Sequence, residues 1–215
     1  MAIYLVIMAK ELLQKKSPLR IATLLYDNIL GTSATLPIEM LRTAEAAARP
    51  KQPNTRKIEA LTLSINENSI TSPSGFDIRP STTIDDSRTF DIINLPALWR
   101  NPRPALVKYK NYIPWLQKQA AQGAIFIAVG TGVCFLAESG LLDKQPATTH
   151  WHYFDQFNKD YPNVLLKRQY FITQAGNLYC AASVNAMAEL MVHLSARLYG
   201  RSAAKQVERN FFHEI

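Results

Sequence analysis

AVGTGVCFLAESGLL, residues 128–142, continues GAIFIAV (123–129), the most apolar strand candidate in the chain. An apolar run of strand length, then Gly-Thr-Gly, then Val-Cys-Phe-Leu-Ala-Glu closed by Gly140 predicts a strand, a sharp turn and a short helix. In open α/β sheets such a turn lies beyond the carboxyl end of its strand, where ligands bind. Several enzyme families hold a nucleophile at its tip. Here the tip is Gly130, and the nearest sulfur, Cys134, comes four residues later. Glycine accepts the strained tip backbone at little cost but supplies no nucleophile. The backbone N–H groups of Thr131 and Gly132, opening the next helix, are expected to attract an anion or a carbonyl.

The elements on either side set the fold class. RIATLLY (20–26) has strand length and leads into LPIEMLRTAEAAARP, helical in content and stopped by Pro50. KIEALTLSI (57–65) alternates as a strand does, NSITSPSGFDIRP predicts a hairpin, and FDIINLPAL (90–98) suits a buried strand. ALVKYKNYIPWLQKQAAQ (105–122) has helical periodicity with a kink or break expected at Pro114. HWHYFDQFNKDYP predicts a helix ended by Pro162, and NVLLKRQYFITQAGNLYCAAS two short strands turned by Gly176-Asn177. SVNAMAELMVHLSARLYG (183–200) is a strongly amphipathic helix with Gly200 past its end. Strands alternating with helices predict an α/β sandwich around a mainly parallel sheet. Residues 1–19 are expected to form a helical extension, and 20–215 one domain.

With 47% hydrophobic and 19% charged residues, the 215-residue chain can bury one sizeable core. No apolar run reaches the roughly 18 residues of a membrane span. The IYLVIM run is followed by AKELLQKK and does not resemble a secretory signal, so a cytoplasmic location is expected. Two cysteines make no disulfide framework. The net charge of +7 favours acidic partners where the charge is clustered, and along the sequence it is dispersed. Arg197, Arg201, Lys205 and Arg209 recur every four residues and predict one stripe of a C-terminal helix, either a solvated face or a surface toward DNA or a DNA-binding domain.

GTGVCFLAESGLLDKQPATTHW (130–151) resembles the most diagnostic block of the ThiJ/PfpI superfamily, in the version fused to AraC-type transcriptional regulators. The resemblance extends through IATLLYDNILGTSATLPIEMLRTA and through NLYCAASVNAMAELMVHLSARLYGRSAAKQV. It implies a three-layer α/β sandwich, flavodoxin-like and class I glutamine amidotransferase-like. The family's cysteine falls on Gly130, its histidine on His150, and two acidic positions on Glu39 and Glu189. Three departures matter. Gly130 replaces the nucleophile, and Pro96-Ala97-Leu98 stands where enzymatic members carry a glycine pair at the oxyanion site. Lys144-Gln145-Pro146 replaces the usual Gly-Arg-x. The first two are separate losses of catalytic parts.

The resemblance therefore implies a ligand pocket around Glu39, Gly130, Thr131, His150 and Trp151, with no catalytic residue and no cofactor. Trp99 and Trp151 are core anchors by residue type, but an indole beside the Glu39 carboxylate would hold an alkylammonium group. His152, His193 and His213 make no metal spacing with His150. The expected function is a non-enzymatic sensing and dimerising domain, a homodimer answering a small, nitrogenous effector. DNA would be reached through a C-terminal helix-turn-helix domain outside this chain. The alternative is a hydrolase, hydratase or glyoxalase-like enzyme using Cys134 or a bound water. Its apolar neighbours Val133, Phe135 and Leu136 instead make Cys134 a core residue, as Cys180 is on its strand pattern.

Overall fold

The computed structural model of the chain describes residues 17–212. Seven strands form one sheet in the order β10-β11-β7-β6-β1-β2-β5. They are β1 (Leu19–Leu24), β2 (Ile58–Ser64), β5 (Thr82–Thr83), β6 (Ile92–Leu95), β7 (Ile125–Val129), β10 (Ile172–Ala175) and β11 (Leu178–Ala181). Every neighbouring pair is parallel except the β10–β11 hairpin, which turns at Gly176 with φ +59°. Two small pairs stand apart, β3 (Ile70–Thr71) with β4 (Asp77–Ile78), the expected hairpin, and β8 (Pro146–Ala147) with β9 (Leu165–Leu166).

Alternation along the strands divides the core between two faces of the sheet. Ala22, Ile93, Phe126 and Ala128 face one side, and Ile21, Ile92, Ile127 and Val129 the other. The first side is covered by α2 (Arg103–Lys108), α3 (Tyr112–Ala121), α4 (Val133–Glu138) and α5 (Phe154–Asp160). The second is covered by α1 (Gly31–Ala48), α6 (Val184–Tyr199) and α7 (Arg201–Phe211). This is the expected three-layer sandwich. No helix among the described residues is long and apolar enough to cross a membrane.

Two expectations change. The break in 105–122 falls at residues 109–111, before the proline. Pro114 is the third residue of α3, where its missing N–H has no helical partner to lose. Gly200, at φ +89°, separates α6 from α7, so Arg197 is not on the same helix as Arg201, Lys205 and Arg209. Arg197 instead donates to the Tyr179 hydroxyl at 3.0 Å. At the start of the chain, the helix expected over residues 1–19 lies outside the described residues up to 16, and Leu19 already pairs with Ile58 in the sheet.

Registers place the candidate site. Thr23 pairs with Asn94, Leu95 with Ala128, and Val129 with Ala181, so β1, β6, β7 and β11 end together at one edge. The chain passes from β1 to β2 on one side and then to β6 on the other, which makes this edge a topological switch point.

Candidate functional site

The turn after β7 has the predicted form. Gly130 adopts φ +51° and opens a single 3-10 turn, Gly130–Gly132, that runs directly into α4. A Cβ on Gly130 would lie 3.3 Å from the Ala97 Cβ and 3.8 Å from the His150 Cβ, so a side chain there would project between those two residues. Gly132 is under a harder constraint, since a Cβ would stand 2.2 Å from the Pro96 carbonyl oxygen. The backbone of β6's exit passes where that side chain would be.

That exit segment decides what chemistry remains. Pro96 has no N–H. The Ala97 N–H donates to Ser33 Oγ at 2.9 Å, and the Leu98 N–H to Thr131 Oγ1 at 3.2 Å. Thr131 Oγ1 in turn donates to the Leu98 carbonyl at 3.0 Å. Carbonyls of the segment are taken too, Ala97's by the Leu30 N–H at 2.8 Å and Pro96's by the Tyr26 hydroxyl. An oxyanion site requires N–H groups aimed at an empty position. Here each N–H of residues 97 and 98 is spent on a protein partner.

Four of the five expected site residues come together. Gly130, Thr131, His150 and Trp151 line a cleft of about 380 Å3 with Leu30, Ala97, Leu98, Trp99, Arg100 and His152. Thr131 contributes through its backbone position, because its hydroxyl is engaged with Leu98 and the residue is 1% exposed. Trp99 and Trp151, 52% and 74% exposed, are rims of the cleft and not core anchors. Arg100, itself at φ +65°, stacks over the Trp99 ring at 5.7 Å.

Glu39 is the exception. The buried face of α1 carries Ser33, Pro37, Met40, Leu41 and Ala44, and Glu39 is turned away from it into solvent. It is not among the cleft residues, nor is Glu189, exposed on α6. Among the described residues no carboxylate lines the cleft. The α1 residue that does reach the elbow is Ser33, fully buried, whose hydroxyl donates to the Leu30 carbonyl at 2.7 Å while accepting from Ala97. A short polar residue one turn before Pro37 was the available signal.

His150 makes a contact that the metal-spacing test could not reveal. Its Nδ1 lies 2.5 Å from Nδ1 of His152, so one ring donates and the other accepts. Burial, and then the charge of His152, lowers the His150 pKa from 6.5. Among the described residues no three His, Cys, Asp or Glu side chains converge as metal ligands. Cys134 lies in the core beside Tyr26 and Phe135, is 0% exposed, and its thiol is pushed well up by burial. Cys180 is equally enclosed and pushed up to about 12.

The curated proteins similar to this chain include transcriptional regulators and an enzyme. The chain is 27% identical over 202 residues to the HTH-type transcriptional regulator GbdR of Pseudomonas aeruginosa, covering 94% of this chain and 52% of that protein. It is 29% identical over 139 residues to isonitrile hydratase of Pseudomonas putida, covering 65% of this chain and 59% of that enzyme. The chain thus spans about half the length of the curated relatives it matches. Among solved structures, an AraC family transcriptional regulator from Pseudomonas putida superposes with TM-score 0.75 at 23% identity, over 90% of this chain and 99% of that one. The profile of the DJ-1/PfpI family matches residues 20–197, well over half of the sequence, and the chain belongs to that family.

Proposed function

We propose that this chain is the effector-sensing and dimerising domain of an AraC-type transcriptional regulator, reaching DNA through a domain outside the sequence given, and that it is not an enzyme. One observation carries the reading. Gly130 occupies the nucleophile position while the N–H groups of Ala97 and Leu98 are committed to Ser33 and Thr131. Acyl-transfer or hydration chemistry at an elbow needs both a nucleophile and unspent donors. The sandwich meanwhile keeps a cleft of about 380 Å3, a volume suited to a small metabolite.

The lining also bears on the effector. Among the described residues, two indoles, Arg100 and two histidines offer ring faces and donors, and no carboxylate. A nitrogenous effector would lie on the Trp99 and Trp151 faces through cation–π attraction, with any anionic end toward Arg100. Calorimetry with a panel of amines, amino acids and their carboxylates tests this. Saturable binding that is weakened at least about tenfold by Trp151→Ala supports it, since a desolvated cation–π contact is worth up to about 2 kcal/mol. No heat with any compound, from well-folded protein, overturns it.

A further inference from the structure

The fold gathers charge that the sequence disperses. Residues 31–57 hold five cations against two carboxylates, and α7 three against one, so these two stretches hold +5 of the chain's +7. They are adjacent in space: Ala203 and Val207 of α7 belong to the same core as Met40, Leu41 and Ala44 of α1. Across the junction the Lys51 ammonium donates to Ser202 Oγ at 3.4 Å. Arg42 and Arg49 lie within electrostatic reach of Tyr199, the last residue of α6, where they partly offset the effect of burial on its phenol. Exposed Glu39 and Glu208, and the buried pairing of Arg56 with Asp91, offset only part of this charge. Glu45 is buried, taking Arg49 as an ion pair and the Ile58 N–H. Arg42, Lys51, Arg201 and Lys205 are exposed.

We propose that this α1–α7 face binds the phosphate backbone of duplex DNA without reading its sequence. No large apolar side chain is exposed within residues 31–57 or 201–211, and Phe212, just past the end of α7, adjoins them as one ring, short of the anchor cluster of a protein-docking or membrane-inserting surface. Phosphates require only cations and gain affinity by releasing counterions. Arg201 and Lys205 stand about one helical turn apart, about 6 Å along α7, and so project from the same side of it. This binding is independent of effector sensing and is measured without any effector.

The test is fluorescence anisotropy of the 215-residue chain with a labelled duplex of arbitrary sequence, titrated with salt. The expected result is a log–log salt slope of about −3 to −4, the value for four neutralised phosphates. Arg42→Gln/Lys51→Gln/Arg201→Gln/Lys205→Gln should lose at least about tenfold affinity at low salt and flatten the slope. The charge-matched control is Lys110→Gln/Lys118→Gln/Lys144→Gln/Lys159→Gln, exposed positions on the helices of the opposite layer and the turns beside them. It should retain binding within about threefold. Three outcomes overturn the proposal: no salt-dependent binding; equal loss in both variants, which would make net charge alone responsible; or tighter binding to anionic phosphatidylserine-containing vesicles than to the duplex.

Discussion

The Asn94 side-chain amide donates to the backbone carbonyl of Ser33 at 3.0 Å, filling a vacancy that Pro37 creates. Residue 37 should donate to the carbonyl four positions earlier, and proline has no N–H to give. A strand residue therefore completes a helix, and the first turn of α1 is fixed against the end of β6. Ser33 then holds the Ala97 N–H, so the geometry of the elbow begins with this repair.

A double-mutant cycle measures it. Asn94→Ala leaves a buried carbonyl without a partner and is expected to cost about 1–3 kcal/mol of unfolding free energy. In a Pro37→Ala background residue 37 regains its N–H, and Asn94→Ala should cost at least about 1 kcal/mol less. Additive effects in urea denaturation would show that the two residues are not coupled.

The two glycines of the elbow should respond very differently to one methyl group. At Gly130 an added Cβ is tight only against the Ala97 Cβ at 3.3 Å, with His150 Cβ and the Ala182 oxygen at ordinary contact distance, and the positive φ sets the penalty, about 1–2 kcal/mol for Gly130→Ala. At Gly132 the Cβ would stand 2.2 Å from the Pro96 oxygen and 2.6 Å from the Leu95 oxygen, both backbone atoms. Gly132→Ala is therefore expected to cost more than about 4 kcal/mol or to prevent folding, the range reserved for severe steric defects. Thermal unfolding of the two variants checks the order.

Much of this was legible in the sequence because it was written in local terms. GAIFIAV, the turn after it and the SVNAMAELMVHLSARLYG helix each have enough apolar periodicity to stand alone. The cleft residues Gly130, Thr131, His150 and Trp151 share one contiguous block, and they do meet. What failed depended on side-chain direction. Glu39 shares a helix with Ser33 but lies on its solvent face, a difference set by the phase of α1. The ties from Ala97 to Ser33 and from Leu98 to Thr131 span 64 and 33 residues, and no local pattern announces them. Likewise α7 and α1 come to share a core only because the chain turns at Gly200.

Acidification should weaken the fold through two histidines. Burial first, and then His152, lowers the pKa of His150 from 6.5; burial first, and then Arg197, lowers that of His193. The fold therefore favours their neutral forms. As pH falls through about 6.5 the unfolded chain takes up protons before the folded chain does, so stability falls until the lowered pKa values are passed. His150→Gln should flatten the dependence of stability on pH between about 7 and 5, leaving the His193 share intact. An unchanged slope in chemical denaturation at several pH values would assign the effect elsewhere.

Thiol reactivity separates sensor from enzyme most directly. A catalytic cysteine must be a thiolate with access to solvent. Cys134 is 0% exposed and Cys180 1%, and burial pushes both thiols up, Cys180 to about 12. In native buffer at neutral pH, iodoacetamide should modify neither thiol faster than the protein opens, whereas in urea both should react at the rate of a free cysteine, whose pKa is about 8.5. Rapid, selective alkylation of native Cys134, mapped by peptide mass, would place a reactive sulfur where the packing of Tyr26 and Phe135 now leaves no room for a substrate, and would return the elbow to catalysis.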